Sequence, residues 1–341
     1  MSTHPIRTAL VAALVVGTVA ACNNLSPHDA AGPRRASAAP HGSSAKPSPS
    51  PSVDPASVHA NELGQVPVLM VHQVERPPSG DYAQTPAQLR ATMERLATHD
   101  YVPVTAAELV SDQIDIPAGT SPVVLTFDDS SPGQFALRAD GTVDPDSAVG
   151  IVMAVAKRHP QFRPVGTLYV NQNPFGSKRP VRDLRWLTSH GWEIGNHTAT
   201  HADLGSLAPA EIQREIGSEQ RTISRAMPDY KVTTMALPFG SMPANTALAH
   251  RGAWDGTRYT YQGVMLVGAN PAPSPFTRAW NPFAIPRIRS WHGRIPADEH
   301  YWLPRLLRTR YVSDGNPKVV SFPRGAQARL AARFQTEANP Y

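Results

Sequence analysis

From about residue 63 onward the chain repeats one pattern: a short apolar run bounded by turn residues, then a longer stretch with apolar positions at helical spacing. Such a pattern predicts alternating strands and helices. Strands are predicted over residues 66–71, 123–127, 166–170, 192–195, 232–237, 263–267 and 284–288, and helices over 86–99, 146–159, 181–190, 209–227 and 296–310. In the first helix Pro86 takes the opening position, where its missing N–H costs nothing, and Leu89, Met93 and Leu96 share one face. The run Val123-Val124-Leu125-Thr126-Phe127 lacks alternation, as expected of a parallel strand covered on both faces. Repeated βα units without a long repeat period predict a parallel α/β barrel, whose chemistry gathers at the carboxyl ends of its strands. Residues 130–146, rich in Asp, Gly and Pro, read as a surface loop above that face.

Before residue 63 the pattern is different. An apolar run over residues 9–21 follows His4 and Arg7 and is shorter than the ~20 residues needed to cross a bilayer as a helix, so it reads as an export signal. Its end, Val19-Ala20-Ala21-Cys22, resembles a bacterial lipobox, in which the cysteine thiol receives a lipid before cleavage. On this reading residues 1–21 are a lipoprotein signal peptide, and Cys22 anchors the exported chain to the outer face of the bacterial cell membrane. The alternative is a plain secretory peptide with an incidental cysteine. Residues 22–62 are dominated by Pro, Ser, Ala and Gly, including Lys46-Pro47-Ser48-Pro49-Ser50-Pro51-Ser52, and cannot bury enough apolar area to offset their ordering entropy. They read as a tether, which leaves residues 63–341 for the folded domain.

Composition narrows the classes. The 35 prolines among 341 residues agree with an extended linker. Lys and Arg exceed Asp and Glu by 32 − 27 = +5, without a basic run, so no nucleic-acid partner is expected. Cys22 is the single cysteine, which excludes an intramolecular disulfide and a cysteine-rich zinc module.

Candidate chemistry stands at the ends of three predicted strands. Asp128 and Asp129 follow Phe127 where the strand breaks into Ser130-Ser131-Pro132-Gly133, a turn that can aim both carboxylates at one centre. Asp pairs also make solvated turns and helix caps, so this pair needs partners. His197 and His201, in His197-Thr198-Ala199-Thr200-His201, are four residues apart; on a helical turn they would share a face and could ligate one divalent metal with a carboxylate as third ligand. A third strand ends in Leu237-Pro238-Phe239-Gly240, a turn whose backbone N–H groups could meet an oxyanion or could simply close a βα connection.

Together and in this order, Leu125-Thr126-Phe127-Asp128-Asp129, His197-Thr198-Ala199-Thr200-His201 and Leu237-Pro238-Phe239-Gly240 resemble the polysaccharide deacetylase superfamily, carbohydrate esterase family 4. The resemblance covers roughly residues 63–292 and implies a distorted (β/α)7 barrel that removes acetyl groups from sugars with a divalent metal, usually zinc. It implies further that Asp128 is the catalytic base, that Asp129, His197 and His201 hold the metal, and that the Phe239 backbone N–H binds the oxyanion. Pro67-Val68-Leu69-Met70-Val71-His72 resembles a branch with the general acid on the first strand, among them poly-N-acetylglucosamine deacetylases, which makes His72 that acid.

The sequence also departs from the family pattern. Ala236 stands where an arginine usually fixes the base, so another cation must orient Asp128, and Arg287 and Arg289 are the candidates. Ser130 replaces the glycine that usually follows the aspartates. The function implied is N-deacetylation of an N-acetylglucosamine-containing polysaccharide at the cell surface. The alternatives are an O-acetyl polysaccharide esterase, and a surface lipoprotein that binds polysaccharide with little or no turnover.

Overall fold

The computed structural model describes residues 53–291 and 298–341. The signal peptide, Cys22 and most of the tether lie outside the described residues.

Eight parallel strands make one curled sheet: β1 (Val68–Val71), β2 (Tyr101–Val104), β3 (Ser121–Phe127), β4 (Thr167–Val170), β5 (Glu193–Asn196), β6 (Thr234–Ala236), β7 (Gly263–Met265) and β8 (Ile288–Arg289). The spatial order is β7-β6-β5-β4-β3-β1-β8, with β2 beside the first half of β3. A parallel bridge from Met265 to Ile285 brings the chain after β7 toward the other edge, completing the distorted (β/α) barrel expected from the sequence. Helices α1 (Pro86–Thr98), α2 (Ala106–Val110), α3 (Ala148–Arg158), α4 (Pro180–Ser189), α5 (Pro209–Ala226) and α6 (Glu299–Leu306) connect or cover the strands.

Period-two alternation sorts the strand side chains into two layers. Leu69, Val71, Leu125, Phe127, Leu168, Val170, Ile194 and Met235 join Leu89, Met93, Leu96, Ile151, Val155, Leu187, Ile216 and Ile223 from the helices in an outer core. Val68, Val124, Tyr169, Ala236 and Met265 point inward and form a second core. Tyr311, Val320, Phe322, Leu330 and Phe334 complete that inner layer, so the C-terminal segment plugs the barrel. The plug sits at the amino ends of the strands, where Tyr311 N–H donates to Gln65 O and Ser313 N–H to Thr120 O. The carboxyl ends remain for chemistry.

Several expectations shift. The helix expected over 296–310 is shorter, Glu299–Leu306, because Asp298 caps it by accepting from His300 N and Tyr301 N. β2 was not expected, since Pro103 interrupts its pattern; among the described residues it pairs only with β3, and an edge strand tolerates a residue without an N–H. The tether expected to run through residue 62 ends sooner: Ala60 and Glu62 are buried, and Asn61 bridges to Val312. The loop over 130–146 does not simply lie on the surface, for Gln134 and Phe135 within it are buried. Among the described residues, no helix is long and apolar enough to cross a membrane.

Candidate metal and catalytic centre

Strand register brings the first two groups together. Val71 pairs with Phe127, so the next residues, His72 and Asp128, emerge side by side at the carboxyl end of the sheet. Asp128 N–H donates to Val71 O at 2.9 Å, and His72 Nε2 lies 4.0 Å from Asp128 Oδ2. On the other flank of β1, β8 is in register at Leu69 and Ile288, and Arg287 just before it turns its guanidinium into the barrel. Arg287 is fully buried and grips Asp128 with two bonds, Nη1 to Oδ1 and Nη2 to Oδ2, both 2.7 Å. Its Nη1 also reaches Thr126 Oγ1 at 3.1 Å, and its Nε donates to Leu266 O at 2.6 Å. Of the two arginines considered in place of Ala236, the structure thus brings Arg287 onto the carboxylate. Arg289 points instead to Tyr82.

Asp129 reaches the same centre because its backbone bends. Its φ is +70° and that of Ser130 is +45°, in the left-handed region that side chains with a Cβ seldom occupy. Within an extended strand the two aspartates would face opposite ways; the bend aims both into one site. Thr198, His201 and Phe239 also have positive φ, at 64°, 58° and 57°. Strain of this kind costs on the order of 1–3 kcal/mol per residue and collects at functional sites.

His197 and His201 do not lie on a helical turn, as the spacing had suggested. Residues 197–203 form an irregular loop. Asn196 Oδ1 accepts from Thr198 N–H, Asn171 Nδ2 donates to His197 O and Thr198 O, and Glu215 Oε2 accepts from Thr200 N–H. These bonds replace the helical ladder and still converge both rings on Asp129: each Nε2 is 3.3 Å from Asp129 Oδ1. His197 Nδ1 bonds Ala236 O at 2.8 Å, which puts a proton on Nδ1 and turns Nε2 toward Asp129.

The charges fit their surroundings. Burial pushes the Asp128 carboxyl up, but Arg287, His197 and His72 outweigh it and hold Asp128 well below the usual carboxylate range. Burial lowers His72, against the pull of Asp128 and Asp129. For His197 burial also lowers the pKa, yet the two aspartates prevail and raise it.

A divalent cation fits the donors present. Asp129, His197 and His201 offer one ligand atom each, all within 4.8 Å of one another. Asp129 Oδ1 and His197 Nε2 are buried without a hydrogen-bond partner, an arrangement costly to leave unsatisfied and natural for metal ligands. Phe239 lines the rim: its ring is 65% exposed and meets the His201 ring edge-on at 4.7 Å. Gly240 behind it has φ +67°, and a Cβ there would come within 2.7 Å of Val267 N, so only glycine closes this turn.

Two supports escaped the sequence reading. Gln134 Nε2 donates to both His72 O and Asp128 O, tying the two strand ends together, and Asn171 holds the histidine loop. Neither stands in a motif, and only the position of Asn171 just after a predicted strand could have drawn attention to it.

Comparison with known proteins agrees with this geometry. Residues 115–253 match the polysaccharide deacetylase family. His72 and Arg287 lie outside the matched segment and enter the site through β1 and β8. A chitooligosaccharide deacetylase from Bradyrhizobium sp. (strain ANU 289) is 32% identical over 126 residues, 36% of this chain and 48% of that relative. The chain thus spans about half the length of that curated relative. A Bacillus cereus polysaccharide deacetylase superposes with a TM-score of 0.52 at 18% identity, over 71% of this chain and 69% of the other. A Streptococcus pyogenes deacetylase solved with acetate gives 0.51 at 16% identity, over 71% and 98%. Family match, shared fold and the order of motifs along the strands agree: over residues 115–253 the chain carries a polysaccharide deacetylase domain.

Proposed function

We propose that the chain is a divalent-metal-dependent deacetylase that hydrolyses N-acetyl groups of an N-acetylglucosamine-containing polysaccharide to acetate and free amine. One observation carries this reading: three metal donors within 4.8 Å of one another, Asp129, His197 and His201, beside an ionised Asp128 held by Arg287. Two imidazole nitrogens and one carboxylate oxygen suit zinc and leave coordination positions for water and substrate. When bound, such a cation lowers the pKa of an attacking water and polarises the acetyl carbonyl.

The protein's own groups then divide the proton work. Asp128 Oδ2 accepts the proton of the attacking water; Arg287 keeps this oxygen charged and aimed. The Phe239 backbone N–H, in the left-handed turn over His201, donates to the oxyanion. His72 Nε2, 4.0 Å from Oδ2, delivers a proton to the departing nitrogen. An amine leaves poorly without that proton, which is why amide hydrolysis needs an acid as well as a base. The same proposal puts the enzyme outside the cell, with lipid on Cys22 and the Pro/Ser-rich tether setting its reach.

The test is acetate release from N-acetylglucosamine oligomers and from an O-acetylated polymer, before chelation, after it, and after zinc is returned. The expected result is release from the amide substrate, lost on chelation and restored by zinc. Release from the ester alone would make the protein an O-acetyl esterase, and glycan binding without release would make it a binding protein.

A further inference from the structure

Beside His72 the site has a wall that no step above uses. Tyr82 is 42% exposed, yet its backbone is fixed: Gln73 N–H donates to Tyr82 O at 3.1 Å, Ala83 is buried, and buried Gln84 Nε2 donates to Ser290 O at 3.2 Å. The ring lies 4.7 Å from the His72 ring, tilted by 56°. On it rests Arg289, with its guanidinium carbon 4.4 Å from the ring centroid and Nη2 donating to the Tyr82 hydroxyl at 2.9 Å. Among the described residues Arg289 makes no ion pair with a carboxylate. An aromatic ring and a cation thus rest on each other beside His72, both with access to solvent.

Such a pair suits a sugar. One face of a pyranose is a patch of C–H groups that covers an aromatic ring, while its hydroxyl and ring oxygens accept from an arginine at the ring's edge. The Tyr82 ring packs against His72, whereas Tyr169 and Phe239 are the rings packed against His197 and His201, which sets Tyr82 outward from the acetyl group undergoing hydrolysis. We propose that Tyr82 and Arg289 form a sugar subsite for the residue next to the one being deacetylated, with that neighbour's ring stacked on Tyr82 and its oxygens held by Arg289. For the class of ligand this rests on the deacetylase reading above. The subsite makes the enzyme act on oligomers in preference to single sugars, because only an oligomer reaches Tyr82 while its acetyl group occupies the centre.

The experiment compares kcat/KM for an N-acetylglucosamine pentamer with that for the N-acetylglucosamine monosaccharide, in the wild type, Tyr82→Ala, Tyr82→Phe and Arg289→Ala. The wild type prefers the pentamer; Tyr82→Ala loses about tenfold of that preference, the size expected for one ring-stacking contact, and Tyr82→Phe restores most of it. Arg289→Ala weakens the preference in the same direction. Equal losses on monomer and pentamer in Tyr82→Ala would overturn the proposal and make the ring a support for His72. An unchanged preference would overturn it as well. If the wild type releases no acetate from any glycan, the deacetylase reading fails, and direct titration calorimetry with the pentamer still decides the subsite: binding lost in Tyr82→Ala upholds it, and equal binding overturns it.

Discussion

Arg287 and Asp128 are 159 residues apart in sequence and meet in a fully buried, two-bond fork. The fork fixes the carboxylate in both position and rotation, as a single ammonium could not. Arg287→Lys therefore keeps the charge but loses the aim, and lowers kcat/KM by about 10²-fold. Arg287→Met leaves Asp128 buried and unpaired, which destabilises the fold by about 3–5 kcal/mol. Urea denaturation and acetate release, measured on both variants, separate aim from stability. A Lys variant with full activity would show that the charge alone suffices.

The proposed metal centre predicts a different pattern. His197→Ala or His201→Ala leaves two protein ligands, so the purified protein loses its metal and its activity together. Asp128→Asn keeps the three donors and retains metal, yet turns over about 10²-fold more slowly or worse, as expected for loss of a general base. Elemental analysis beside the activity assay makes the distinction; metal loss in the Asn variant would move Asp128 among the ligands.

Most of this candidate centre was legible in the sequence, for a physical reason. In a parallel barrel the active residues sit at strand ends, and strand ends are marked by a buried apolar run that breaks into turn residues. Asp128, Asp129, His197, His201 and Phe239 all follow such runs. The arginine was harder: Ala236 announced that a cation must come from elsewhere, but only the pairing of β8 with β1 decides between Arg287 and Arg289. Gln134 was illegible, because it lies in a polar stretch whose composition reads as surface loop, and only tertiary structure places Phe135 in the core and Gln134 against the strand ends. The helical turn expected for the histidines failed because Asn171, Asn196 and Glu215 offered the loop hydrogen bonds that a four-residue spacing cannot reveal.

The export proposal turns on one thiol. In Cys22→Ala no acceptor for lipid remains, so radiolabelled fatty acid fails to incorporate and the chain is left unprocessed or leaves the membrane fraction. Membrane retention equal to that of the parent would remove the lipid anchor from the account.

Glu219 predicts how stability varies with pH. It lies on α5, buried, with neither carboxyl oxygen bonded to any group among the described residues, and burial pushes its pKa up to about 8. The folded chain therefore holds a proton there that the unfolded chain releases near the ordinary glutamate value of 4.5. Stability from this group is fully present below that value, falls as pH rises toward 8, and levels off above it. In Glu219→Gln this component is absent, so the fall in unfolding free energy across that window shrinks by an amount on the order of a few kcal/mol. Denaturant titrations at the two ends of the window measure it, and an identical fall in both proteins would assign the slope to other groups.

His72 is the catalytic assignment that rests most heavily on strand register, since it lies outside the segment matched to the family. The pairing of Val71 with Phe127 delivers it to Asp128, and a proton on Nε2 can reach the nitrogen that leaves. The consequence is a dependence on the leaving group. An amide nitrogen must be protonated to depart, whereas the phenolate of an activated aryl acetate leaves unaided. His72→Asn therefore slows hydrolysis of an N-acetylglucosamine oligomer far more than that of an aryl acetate, with metal content unchanged. Equal losses on both substrates would make His72 a positioning or oxyanion group, and loss of metal would make it a support for the ligands. Its burial bears on the same measurement: desolvation lowers the His72 pKa and outweighs the opposing pull of Asp128 and Asp129, so removing either carboxylate lowers it further. Asp128→Asn removes one of the two, so the leaving-group dependence of His72→Asn is weaker in the double variant than in the single one, a coupling that a double-mutant cycle reads directly.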